Sequence, residues 1–256
     1  MRIAILMTNT DESEFAHRHP LDGEKFTRLI HLARPQGSCV VYPVKDGIFP
    51  SDITAYDGAI ITGSPASTRS GAPWIDRLLQ LIRHMHAERM PLFGACFGHQ
   101  AIALALGGAV EHVPGGWVHG LTWNHLVARP DWAADVAPVV GIYGSHVEYV
   151  SRLPDGAHPL MTCSGINSGF TLGSHIATTQ HHPEMTHDFI VALTEELRGK
   201  MGPELHARAV ASLTDHADQP ALAEAVARFF DSARRVAAAK TAATASPVKT
   251  ARPGCA

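Results

Sequence analysis

Two short stretches hold residues that could do chemistry together. In FGACFGHQAIALALGG, residues 93–108, Cys96 stands between Gly94 and Gly98 and is followed by an apolar run. Glycines two positions to either side of a thiol suggest a backbone bent too sharply for side chains. G-x-C-x-G has the form of a nucleophile elbow with cysteine in place of serine, in which a strand turns abruptly into a helix and holds the side chain at its apex. A sulfur at a helix N-terminus faces unpaired amides and the positive end of the helix dipole, which favours the nucleophilic thiolate. The second stretch, QHHPEM at 180–185, supplies what such an attack needs, a base and a group to orient it. The residue before a proline is pushed into an extended conformation, so His182 and Glu184, two apart across Pro183, can project the same way. Glu184 could then hold one ring nitrogen while the other faces Cys96. Each stretch taken singly has a plainer reading: a buried cysteine ahead of a packing helix, and a surface turn.

The elements that must position these residues read as an α/β alternation. Residues 2–7, 38–44 and 58–62 are short apolar strands, and 22–33 and 73–88 are helices between them. In the second helix Trp74, Leu78, Leu81, Ile82 and Met85 form a core stripe at three- and four-residue spacing, with Pro73 in the favoured first turn. Residues 91–95 read as a further strand and 98–106 as a helix stopped by Gly107 and Gly108, so the thiol falls between strand and helix. From 109 to 180 the chain reads as strands and turns, as in LTWNHLVA, APVVGIY and HIATTQ. After His187 the pattern is helical to about Arg235, and residues 237–256, small and polar, are expected to form a disordered tail in which Cys255 is incidental.

Bulk properties narrow the function classes. A chain of 256 residues can bury a sizeable core, most simply as one domain. A formal charge of −3, from 21 basic and 24 acidic residues, gives neither a basic footprint for nucleic acid nor a polybasic membrane patch. Four cysteines without a CxxC pair argue against a disulfide framework and a zinc knuckle, and fit a reducing cytoplasm. The first residues, MRIAILMTNT, have the length of a strand rather than of a signal peptide or membrane span, so a soluble, cytoplasmic protein is expected. The 17 histidines include the pairs His17/His19, His84/His86 and His181/His182, but none has the HExxH spacing. His84 and His86 point roughly 200° apart on a helix, so no metal and no cofactor are expected.

Together, GACFGHQ and HHPE resemble the class I glutamine amidotransferase family of the triad type, with G-x-C-x-G-H-Q at the elbow and H-P-E near the domain end. The likeness extends to ITGSPAS, where the family places a glycine-bearing oxyanion loop, and to YGSHVEYVSRLPDGA, similar to its S-H-x-D-x-V-x-x-L-P-x-G segment. It spans roughly residues 1–190. The resemblance implies a flavodoxin-like fold, a mixed, largely parallel sheet with helices on both faces, as a single domain over 1–190 extended by C-terminal helices over 191–236. It implies that Cys96 attacks the side-chain amide of glutamine, giving a γ-glutamyl thioester and ammonia. His182 would protonate the leaving nitrogen and then activate water, and Glu184 would fix the tautomer of His182. The backbone amides of Gly63 and Phe97 would form the oxyanion hole. Gln100 and the main chain around Ser145 and His146 would hold the amino acid head. His181 reads as packing or pocket lining, and His99 as satisfying a buried backbone group.

Two departures from the family pattern stand out. Glu148 occupies the aspartate position of the S-H-x-D segment, and the sequence carries no P-loop and no Ser-Gly-Gly pyrophosphatase signature. The chain therefore resembles the free-standing, GMP-synthase-like subgroup, whose members hydrolyse γ-glutamyl amides or serve a separate synthase subunit. A DJ-1/PfpI-like cysteine hydrolase is the alternative chemistry, but it expects an acidic residue near the elbow cysteine and leaves H-P-E unexplained. A non-catalytic, amidotransferase-like partner subunit is the other alternative, and the intact Cys96, His182 and Glu184 argue against it.

Overall fold

The computed structural model describes residues 1–244. In chain order, β1 (Arg2–Met7), a single turn α1 (Glu14–His17) and α2 (Asp22–Ala33) lead to β2 (Ser38–Pro43), β3 (Gly58–Ile61) and α3 (Pro73–Ala87). β4 (Leu92–Ala95) runs into α4 (Phe97–Ala105). Seven further strands follow: β5 (Ala109–His112), β6 (Val118–Leu126), β7 (Val139–His146), β8 (Glu148–Arg152), β9 (Ala157–Cys163), β10 (Ile166–Leu172) and β11 (Ile176–Thr179). Helices α5 (His187–Glu196), α6 (Arg198–Met201), α7 (Pro203–Ser212) and α8 (Gln219–Thr244) come last.

Nine strands form one sheet in the order β2-β1-β3-β4-β11-β10-β9-β6-β7, and β5 pairs with β8 in a separate ribbon. The half from β2 to β11 is parallel, and the half from β11 to β7 is antiparallel. Strands covered on both faces read as mostly apolar runs, with any polar side chain hydrogen-bonded. β3, β4 and β11 are accordingly buried at every position.

Alternation along β1 divides the core. Ala4 and Leu6 join Leu78, Ile82 and Met85 of α3 and Ile102 of α4 on one face. Ile3 and Ile5 join Phe26, Leu29 and Ile30 of α2 and Val226, Phe229 and Phe230 of α8 on the other. The stripe of α3 is rotated from its expected position: Ile75 and Leu79 are fully inside, whereas Trp74 and Leu81 lie half-buried at its margin. Trp74 instead stacks on Phe97 at 5.5 Å, at the start of the helix that follows the elbow.

Helix α8 continues to Thr244, past residue 236 where the sequence suggested a tail would begin. The rest of that expected tail, with Cys255, lies outside the described residues. Among the described residues no helix is long and apolar enough to cross a membrane, and no group of three His, Cys, Asp or Glu side chains could hold a metal ion.

Candidate active site

The sharp bend lies at the cysteine itself. Cys96 has φ 50° and ψ −105°, a left-handed conformation that an L-residue adopts only when its surroundings impose it. Three backbone bonds impose it. The Cys96 N–H donates to Thr179 O of β11 at 2.9 Å, the Gly98 N–H to Thr62 O at 3.1 Å, and the Gln100 N–H to Cys96 O at 3.1 Å. The flanking glycines are needed for close approach rather than for unusual torsions. A Cβ on Gly94 would meet Ile102 Cδ1 at 2.6 Å, and one on Gly98 would overlap the carbonyl oxygen of Ile61. Their absence lets α4 press its first turn onto β3 and β4.

His182 arrives from the neighbouring strand end. Its N–H donates to Tyr143 O at 2.8 Å, a bridge that ties the segment after β11 to β7. Its Nδ1 lies 2.7 Å from Glu184 Oε1, and both side chains are buried. The Gln219 side chain, from the first residue of α8, donates to Pro183 O at 3.1 Å and Met185 O at 3.0 Å, fixing the backbone on either side of Glu184. Burial disfavours the charged ring, but the pull of Glu184 and Cys96 outweighs it and holds His182 well above the ordinary histidine range. Imidazole and carboxylate are thus in hydrogen-bond contact, and Cys96 is near enough to act on the charge of the ring.

Gly63 lies directly against this trio: a Cβ there would fall 2.7 Å from His182 Cε1 and 3.6 Å from Cys96 Cβ. The peptide that carries its amide is clamped. Thr62 O accepts from the Gly98 N–H and lies 3.0 Å from Thr8 Oγ1, which also lies 3.0 Å from Gly63 O. A trans peptide sets its N–H opposite its carbonyl, so the Gly63 N–H is turned away from that clamp. Phe97 is the first residue of α4, and its N–H has no partner within the helix. Thr8, fully buried, was not singled out in the sequence. The signal for it was present: Thr8 and Thr62 each close an apolar run in what become adjacent parallel strands.

The other expected site residues are tied together by hydrogen bonds. Gln100 Nε2 donates to Glu148 O at 2.9 Å, and His146 Nδ1 lies 2.9 Å from the same carbonyl. The hydroxyl of Ser145 is 3.1 Å from His119 Nδ1, while His119 Nε2 is 2.9 Å from Thr194 Oγ1. Because Thr194 donates to Ile190 O, His119 must donate through Nε2 and accept the Ser145 proton. His181 bonds Asn124 Oδ1 at 2.9 Å and lies 5.3 Å, ring to ring, from His146. His99 reaches a side chain rather than the backbone group expected of it, with Nδ1 2.9 Å from Thr178 Oγ1. Burial pushes His146 and His119 down to about 4 and His99 to about 3, so these rings are neutral. His119 and Asn124 gave no local signal, since their partners come from distant strands and helices. Glu148 is buried and accepts from Ser67 Oγ at 3.0 Å and Arg69 Nη2 at 2.6 Å, tying the loop after β3 to β8.

The model of the family "glutamine amidotransferase class-I" matches residues 26–189, a span that holds Gly63, Cys96, His182 and Glu184. Gamma-glutamyl peptidase 3 of Arabidopsis thaliana is 28% identical over 167 residues, covering 61% of this chain and 67% of that protein. The glutamine-hydrolysing GMP synthase of Mycobacterium marinum is 31% identical over 131 residues, 50% of this chain and 23% of that protein. The chain therefore spans about two thirds of the peptidase and under a quarter of the synthase. The crystal structure of a glutamine amidotransferase from Thermotoga maritima shares the fold, with a TM-score of 0.71 at 18% identity over 90% of this chain and 98% of that one. A family match running from α2 to the residues just beyond Glu184, on a shared α/β fold, means that this chain belongs to the class-I glutamine amidotransferase family.

Proposed function

We propose that the chain cleaves a γ-glutamyl amide through a thioester on Cys96. The sulfur attacks the γ-carbonyl carbon, the C–N bond breaks, and the leaving nitrogen takes the proton held by His182. Water then attacks the thioester carbon while His182 removes its proton, giving glutamate and restoring the thiol. Glu184 keeps Nδ1 of His182 engaged, so that Nε2 does the proton transfer. The amides of Gly63 and Phe97 stabilise the oxyanion, and Gln100 with the main chain at Ser145 and His146 holds the amino acid head. Glutamine would release ammonia, and a larger γ-glutamyl compound would release an amine. One relative carries the name of a γ-glutamyl peptidase and another that of a glutamine-hydrolysing synthase, so both substrate types, and delivery of ammonia to a separate synthase subunit, fall within this reading. The observation that supports it is the buried imidazole of His182 bonded to Glu184, with both the ring and Cys96 lying against Gly63.

A glutamine-like diazoketone tests the proposal. It should label Cys96 alone in the intact protein, read by peptide mass spectrometry, and Cys96→Ser should abolish labelling and lower turnover by roughly 10⁴-fold or more while the fold persists. Labelling spread over the other cysteines, or none, would overturn it. Turnover that begins only when a synthase is added would identify a gated subunit with the same chemistry.

A further inference from the structure

The loop after β3 carries a charge that the cleavage chemistry does not use. Arg69 donates through Nη2 to Glu148 at 2.6 Å, while its Nε and Nη1 make no hydrogen bond among the described residues. Its side chain is 42% exposed, against 8% for that of Glu148. The placement is fixed from both sides. Ser67 Oγ bonds Glu148 at 3.0 Å and accepts the Arg69 N–H at 3.2 Å. Glu148 in turn is tied to two of the proposed substrate-binding residues, because its carbonyl holds Gln100, four residues from Cys96, and His146. The adjacent Thr68 adds a buried hydroxyl with no protein partner.

A guanidinium can pair with one carboxylate along one edge and present its remaining N–H groups to a second, which an ammonium cannot do with the same geometry. His146, bonded to the same carbonyl, and His119, bonded to Ser145, are neutral. Glu148, at the aspartate position of the S-H-x-D segment, thus acts as the anchor that aims an arginine. We propose that Arg69 reads a carboxylate of the substrate, with Glu148 as its positioning partner. This rests on the proposed γ-glutamyl site. Two carboxylates could be the one read: the α-carboxylate of the γ-glutamyl head, or one on the leaving group.

Calorimetry on the full chain carrying Cys96→Ser, which holds substrate without turnover, separates these. Glutamine is compared with glutaminamide, in which the α-carboxylate is a neutral amide, and γ-glutamylglycine with γ-glutamylmethylamide. Arg69→Gln should reduce the preference for the carboxylate-bearing member of one pair by roughly 10- to 100-fold, and the pair affected names the carboxylate. Arg69→Gln combined with Glu148→Gln leaves no unpaired buried charge and should fail to restore the preference. Restoration by that double variant, equal weakening of both members of both pairs, or no binding of any of the four compounds would overturn the inference. In the protein with Cys96 intact, the same loss should appear in KM rather than kcat. If the binding preference behaves as stated while Cys96 resists the diazoketone, the cleavage reading falls and the role of Arg69 stands.

Discussion

Cys96 makes sense only with its two partners, because a thiol at a bend is useful when a proton can be moved to and from it. His182 sits above the ordinary histidine range although burial alone would put it below: the opposing pull of Glu184 and Cys96 decides the sign. Glu184→Gln removes the largest single attraction and leaves the burial penalty, so the ring should titrate at lower pH, as read by NMR on labelled histidine. Turnover should fall by roughly 10²- to 10⁴-fold, since the neutral amide neither favours the imidazolium nor fixes the tautomer. Stability carries the same sign. A histidine whose folded value exceeds its unfolded one of about 6.5 stabilises fully below that pH and loses the contribution as pH rises through the folded value. The variant should therefore lose more stability at pH 6 than at high pH. An unchanged His182 titration would show that Glu184 does not set its charge.

At the scale of elements, the strand–bend–helix unit that holds Cys96 is built locally and is docked by α3, α4 and the strands beside it, whereas His182 depends on a longer-range clamp. Gln219 at the start of α8 bonds the peptides flanking Glu184, and further along α8 Phe229 and Phe230 are fully buried against β1, β3 and α2. Gly58 of β3 has no side chain where Phe230 packs, since a Cβ there would lie 2.6 Å from the ring. α8 is thus part of the core that supports the site. Phe230→Ala should cost roughly 3–5 kcal/mol in urea unfolding, as for other buried aromatic truncations. A loss under about 1 kcal/mol would mark α8 as a detachable extension. The sequence revealed α2, α3 and the elbow because apolar periodicity and glycine punctuation are local signals. It put Trp74 and Leu81 inside α3 in place of Ile75 and Leu79, because periodicity fixes a stripe only to within a neighbouring position. The clamp by Gln219 depends on which helix start meets the segment after β11, which local pattern does not encode, whereas Thr8 at the close of an apolar run was legible but not read.

Taken whole, the molecule surrounds one charged imidazole with neutral ones. His99, His119, His146 and His181 come from α4, β6, β7 and the segment after β11, and all meet behind or beside the site. The sequence displayed the histidines but not their company, since only the mixed sheet brings β6 and β7 next to the elbow strand's side of the fold. Burial lowers His99 to about 3, His119 to about 4 and His181 well below the ordinary range. Burial likewise lowers His146 to about 4, against a bond to Glu148 O that favours its protonation. Each is neutral when folded and protonates near 6.5 when unfolded, so the unfolded chain binds more protons as pH falls below that value. Stability should therefore drop steadily between pH 6.5 and 5, above the range where most carboxylates titrate. His182, already protonated when folded, opposes that slope near pH 6.5 and ceases to do so by about pH 5. Unfolding by urea at pH 7, 6 and 5 should show the midpoint falling, with about four protons taken up per molecule near pH 5. His99→Gln, which keeps a donor for Thr178 and removes one titrating ring, should reduce that uptake by about one. A midpoint that is flat from pH 7 to 5 would mean that these rings accept protons in the folded state, and hence that the protein around them is far more open to water than its burial implies.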